Sequence, residues 1–224
     1  MLKLTREDHA KVSAAIADAE ARSNAEIIAV ATPLSDSYHD AALHWSVLVL
    51  VGTIATFAAW PSLLSYWFDV FLGGWRPEPT LREILTLLLV LAVLKFTAVL
   101  LILKYMPLRL ALTPAATKTR RVRRRAIAVF KAAAERRTVG RNGVLVYLSI
   151  GEHRAEIVAD RAILEVTDAQ VWGEAMSALI EQVKAGQPGD GIAAAVQGVG
   201  EVCARHFPKS ESNPNEIPDR LIEL

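Results

Sequence analysis

Apolar runs of two lengths punctuate this chain, and amphipathic, helix-period sequence lies between them. Near the start, Val12, Ala15, Ile16 and Ala19 recur at helical spacing, which predicts a helix with one buried face. Thr5 offers a hydroxyl cap, and Glu7 and Asp8 suit the positive end of the helix dipole. Ser23-Asn24 closes the helix. Residues 26–32 (EIIAVAT) form a short β-branched run stopped by Pro33, and predict a buried strand.

Two longer apolar runs follow, at residues 45–68 (WSVLVLVGTIATFAAWPSLLSYWF) and 84–103 (ILTLLLVLAVLKFTAVLLIL). A helix of about 20 residues crosses a hydrocarbon core, so each run predicts a membrane span. Trp45, Trp60 and Trp67 bracket the first run as interfacial aromatics, and Pro61 predicts a kink or break near its far end. The stretch at residues 69–83, with Gly73-Gly74 and two prolines, reads as the connector. Beyond the second run stand Lys104, Arg109, Lys118, Arg120, Arg121, Arg123, Arg124 and Arg125. The positive-inside rule puts that side in the cytoplasm, and two spans then put both termini there.

Periodic sequence resumes at Thr113-Pro114, a cap followed by a helix-starting proline. Val122, Ala126, Val129, Phe130 and Ala133 mark a buried stripe running to about residue 137, and Gly140-Arg141-Asn142 turns the chain. Two strands at residues 143–150 and 153–159 read as a hairpin joined at Gly151-Glu152. Thr167-Asp168-Ala169-Gln170 matches a capping box, opening a helix with Val171, Ala175, Leu179, Ile180 and Val183 inward. Gly189 and Gly191 predict a break, and residues 192–207 a last helix ended by Pro208. The tail at residues 209–224 is polar apart from Leu221, Ile222 and Leu224.

The expected fold is therefore α/β. A small sheet of at least three strands is sandwiched by helices and interrupted by a two-helix transmembrane hairpin. Residues 1–40 supply the first helix and strand, 41–110 the hairpin insertion, 111–208 the rest of the domain, and 209–224 the tail. Of the 224 residues 52% are hydrophobic, an excess confined to the two long runs. The net charge of +1 says little as a total, because the basic residues cluster after residue 118. Cys203 stands alone, so no intrachain disulfide forms, as suits a reducing cytosol. Residues 1–23 are charged throughout and lack the apolar core of a secretory signal.

The runs Glu26-Ile-Ile-Ala-Val, Asn142-Gly-Val-Leu-Val, His153-Arg154-Ala-Glu156-Ile-Val, Thr167-Asp168 and Gly-Ile-Ala-Ala-Ala-Val from Gly191 resemble the TPM domain family. The resemblance covers residues 4–34 and 115–207. It is strongest to a bacterial subgroup with a membrane hairpin inside the domain and an Asn-Glu-Ile-Pro-Asp-like tail, which implies a multi-pass inner-membrane protein. It also implies a helix-flanked sheet, weak acid phosphatase activity in some members, and divalent cations held by acidic loop residues. Here the family's acidic residue ahead of the first helix is replaced by Met1-Leu2-Lys3-Leu4, and the glycines after the second hairpin strand by Ala159-Asp160-Arg161.

Asn142, Asp160 and Asp168 are the expected positions of an acidic pocket for calcium or magnesium, oxygen-ligand metals. Either Arg154 or Arg161 is the candidate for holding phosphoryl oxygens. The alternatives are that Asn142 serves a turn, Asp168 a helix start, and Asp160-Arg161 a surface pair. Arg120, Arg121, Arg123, Arg124 and Arg125 oppose a helix dipole from its N-terminal side, so local helix stability did not select them. They suit anionic lipid headgroups; no aromatic interleaving or recognised motif points to nucleic acid. Lys95 lies within the second span, where charge is expensive, and Thr53 or Thr56 is its expected neighbour, with snorkelling or a homo-oligomer contact as alternatives.

The function these features suggest is a membrane-anchored, cytoplasmic-facing module that binds or scaffolds a protein partner. A degenerate metal-dependent phosphatase is the alternative, and a small transporter, resting on Lys95 alone, the third.

Overall fold

The computed structural model describes residues 4–72, 79–133, 142–167, 169–210 and 217–224. In chain order its elements are α1 (Arg6–Arg22), β1 (Glu26–Thr32), α2 (His39–Ala59), α3 (Pro61–Leu72), α4 (Leu81–Ile102), α5 (Met106–Ala111) and α6 (Ala115–Ala133). Then come β2 (Gly143–Ser149), β3 (Arg154–Ala159), α7 (Arg161–Leu164), α8 (Ala169–Lys184), α9 (Pro188–His206) and β4 (Leu221–Glu223). The chain divides into two compact units: Met1–Asp36 with Ala115–Leu224, and Ser37–Pro114.

The first unit is built on a sheet which, among the described residues, has the strand order β3-β2-β1-β4. β1 runs parallel to β2, with Glu26 opposite Gly143 and Thr32 opposite Ser149, and parallel to β4 on its other side. β2 and β3 are antiparallel, joined by a tight turn in which His153 takes a positive φ of 48°. Every residue of β1 and β2 is buried, as expected of strands covered on both faces. Alternation sorts them. Ile27, Ala29, Ala31, Val144, Val146 and Leu148 pack with α1, α8 and α9, whereas Ile28, Val30, Leu145 and Tyr147 pack with Val122, Ala126 and Phe130 of α6. The helix-flanked sheet read from the sequence is thus the observed fold.

Thr5 and Asp8 cap α1 reciprocally, as its first turn suggests. Three local features differ from the sequence reading. Gly189 and Gly191 do not break the chain; they form the first turn of α9. A Cβ at Gly189 would collide with the Asp8 side chain, and one at Gly191 would fall 2.9 Å from the Leu179 carbonyl oxygen. The glycines are close-approach positions on a helix squeezed against α1 and α8. The apolar end of the tail forms a strand, with residues 221–223 adding β4 to the sheet. The hydroxyls of Thr113 and Thr167 donate to Arg109 O and Ile163 O, one turn back. The short helices α5 and α7 carry too few residues for periodicity to show. The turn at Gly140-Arg141 lies outside the described residues.

In the second unit, Pro61 divides the first apolar run into α2 and α3. α2 and α4 are each long and apolar enough to cross a membrane, with mean hydropathies of 1.8 and 2.7 over their best 18 residues. They pack side by side, while Leu48, Val51, Leu89 and Leu94 remain exposed. Arg109, 4% exposed, donates to Leu103 O at 2.7 Å and to Ser37 O at 2.7 Å, tying the end of α4 to the segment before α2.

Candidate functional sites at the two ends of the sheet

At the end where β1 and β2 finish, a polar network closes over the strands. Glu152 accepts from the Ser35 backbone N–H at 2.9 Å and from the Ser149 hydroxyl. The Tyr147 hydroxyl meets Ser35 Oγ at 3.0 Å. Burial raises the Tyr147 pKa, partly offset by the Ser35 hydrogen bond and by nearby Arg125. Asp36 lies 3.2 Å from Arg121 and 3.8 Å from Arg124. The basic cluster is therefore split. Arg121 is half-buried against Asp36, whereas Arg120, Arg123, Arg124 and Arg125 are exposed, with Arg124 also reaching Asp36, Arg125 near Tyr147 and Arg123 near Glu156.

The opposite end, where these strands begin, gathers carboxyl groups. Glu20 on α1 is buried and accepts from Ile27 N at 2.8 Å. Glu26 accepts from Ile217 N at 3.2 Å. Burial pushes the Glu20 pKa up to about 8, with the carboxyl groups of Glu26 and Asp219 adding to the rise against the lowering by the Ile27 N–H. Sequence reading missed this group. Glu20 and Asp219 stand almost the whole domain apart in the chain, and only the seating of the tail beside β1 brings them together.

Asn142 and Asp160 flank the open end of the β2–β3 hairpin, as neighbours. Each is engaged locally: Asn142 Nδ2 donates to Asn24 O, and Asp160 Oδ2 accepts from Gly143 N at 2.9 Å. Asp168 lies outside the described residues. Among the described residues no group of three or more His, Cys, Asp or Glu side chains is arranged to hold a metal ion. Arg154 and Arg161 stand at opposite ends of β3, about 20 Å apart along an extended strand, so one phosphoryl group does not reach both. Arg161 is exposed and pairs with Glu165 at 2.7 Å, which is the surface-pair alternative realised with a different acid. Arg154 has a buried Nε without a hydrogen-bond partner among the described residues, and it lines a groove of about 650 Å³ with His153, Ser177 and Lys184.

Lys95 is exposed on α4, its amine 5.8 Å from the centroid of Phe57. The expected partners Thr53 and Thr56 donate to their own helix, at Val49 O and Gly52 O. Cys203 is a core residue whose thiol pKa burial pushes up to about 12.

Residues 108–202 match the profile of the TPM domain. The NMR structure of the BA42 protein from the psychrophilic bacterium Bizionia argentinensis sp. nov. is similar in fold. It superposes with a TM-score of 0.55 at 17% identity, covering 99% of this chain and 95% of that one. No curated protein matches the sequence. The profile match takes in α6, β2, β3, α8 and most of α9, so this part of the chain resembles a TPM domain, and the fold as a whole is shared with the BA42 structure.

Proposed function

We propose that this protein spans a bacterial inner membrane twice and holds its TPM domain on the cytoplasmic side, where the domain binds or scaffolds another envelope component. The observation that carries this reading is an inversion of burial. The most apolar window of the chain, in α4, is only 11% buried. A core helix hides its apolar stripe, whereas a lipid-facing helix turns it outward. Lys104, Lys118 and the arginines after it favour the cytoplasmic side for both termini. Exposed Arg120, Arg123 and Arg124 add attraction to anionic headgroups, about 1 kcal/mol each near the surface. Alkaline carbonate extraction and a reporter active only in the cytosol, fused after Leu224, test the reading. Retention in the membrane pellet with an active reporter supports it. Release into the supernatant, or a silent reporter, overturns it.

A second reading, a divalent-metal-dependent phosphatase, is favoured by the adjacency of Asn142 and Asp160. Titration with calcium or magnesium, followed by chemical shifts, decides it. Shifts at both residues at millimolar metal support the reading, and unchanged shifts remove it.

A further inference from the structure

Lys95 lies seven residues before the end of α4 and fourteen after its start, about 10 and 21 Å along the axis. The ring its amine faces belongs to Phe57, twelve residues beyond Trp45, about 18 Å along α2. Measured along α4, the amine sits inside a hydrocarbon core about 30 Å thick. A lysine at such depth costs about 2.5–3.5 kcal/mol on insertion scales. A cation–π contact returns about 0.5–2 kcal/mol. Snorkelling to the C-terminal end of α4 would have to cover about 10 Å, against the lean of helical side chains toward the N-terminus, and would forfeit the ring.

A second copy does not supply the missing counter-charge. Copies in one membrane share one orientation. The acids of this chain between residues 39 and 103 are Asp40, Asp69, Glu78 and Glu83, each at least twelve residues from both Lys95 and Phe57. A symmetric pair would oppose lysine to lysine at equal depth. We propose that the exposed face around Lys95 docks a transmembrane helix of a different protein, one that carries a carboxylate side chain near mid-depth. This names the partner chemistry of the scaffolding reading above and rests on it.

The test uses the full chain in phosphatidylcholine vesicles with three synthetic polyleucine helices, whose central residue is glutamate, glutamine or leucine. Energy transfer from the protein's tryptophans to a dansyl group on the peptide reports association. The expected result is half-maximal transfer to the glutamate peptide at about fivefold lower peptide density than to the leucine peptide. Lys95→Leu removes that preference and Lys95→Arg keeps it. Identical curves for the three peptides, or a preference that survives Lys95→Leu, overturn the proposal. Loss of the preference when anionic lipid is added assigns the counter-charge to headgroups and also overturns it. Carbonate washing of the same vesicles keeps the two inferences apart. Protein that washes off defeats the membrane reading itself, whereas protein that stays without discriminating among peptides defeats only the docking.

Discussion

Asp36 Oδ1 lies 3.2 Å from Arg121 Nη1, and both side chains are largely sheltered from solvent, at 21% and 15% exposure. Asp36 is the last residue of the α/β unit before the chain departs, and Arg121 lies in the second turn of the helix on which it returns. The ion pair thus clasps the two ends of a domain interrupted by a long insertion. An arginine cluster that suggests a lipid surface in the sequence has one member holding the fold closed.

That placement predicts a measurable coupling. Sheltered, charge-assisted pairs contribute more than exposed ones, about 1–2 kcal/mol here. A double-mutant cycle with Asp36→Ala and Arg121→Ala, read by thermal unfolding in mild detergent, gives a coupling of that size. It persists at high salt, because a sheltered pair is poorly screened. A coupling near zero, or one lost at moderate salt, shows the pair to be ornamental.

Glu20 predicts a pH dependence of definite sign. Its pKa in the folded protein is raised to about 8, mainly by burial, so the folded state favours the protonated acid. Its contribution to stability is full below the ordinary glutamate range near 4.5 and is lost as pH rises from there to about 8. Wild-type protein therefore loses stability across that window, beyond what the rest of the chain dictates. Glu20→Gln, which keeps a group able to accept from Ile27 N, flattens the slope. Parallel slopes for the two proteins in urea titrations at stepped pH would contradict the assignment.

Legibility in the sequence followed the range of the interactions. Glu26–Thr32 was readable to the residue, because a β-branched run between Asn24 and Pro33 is a local signal. The order of strands was only partly readable. β1 and β2 announce themselves by composition, but three residues at Leu221–Glu223 become a strand only because β1 offers an open edge. Gly189 and Gly191 misled for a related reason. Glycine marks either a break or a close approach, and only the position of Asp8 on another helix distinguishes them. The hairpin brings Asn142 and Asp160 side by side. The backbone groups that occupy them follow from tertiary geometry, which spacing does not encode.

The seat of Gly189 on Asp8 gives a third prediction. Alanine there collides with the Asp8 carboxylate, which also completes the cap of α1 with Thr5. Gly189→Ala therefore destabilises by about 1–2 kcal/mol, the loss of a cap plus local strain, despite alanine's better helix propensity. In an Asp8→Gly background the colliding side chain, Cβ included, and the cap are already gone, so the further cost of Gly189→Ala shrinks or reverses. Additive losses in the double variant, measured by chemical denaturation, would show that the two residues do not compete for the same space.

The short strand β4 carries the last prediction. It pairs with Ala29, Val30 and Ala31, and Leu224 N–H extends the pairing to Ala31 O at 3.1 Å. Leu221 is buried in the main core, Ile222 packs on the α6 side, and Ile217 N–H satisfies Glu26. Ending the chain at residue 216 removes all three anchors and bares one edge of β1. The expected loss is about 3–5 kcal/mol, from three aliphatic side chains returned to water and the Ile217 N–H bond to Glu26 lost. A bare, flat, apolar edge also recruits other strands, so the shortened protein should associate in a concentration-dependent way that the full chain does not show. Glu223→Gln separates strand from charge. Its pair with His9 at 2.7 Å is largely exposed and contributes less than about 1 kcal/mol, so that variant should behave as wild type. A shortened chain that melts with the full-length protein and stays monomeric in light scattering would mean that β4 rests on the sheet without supporting it.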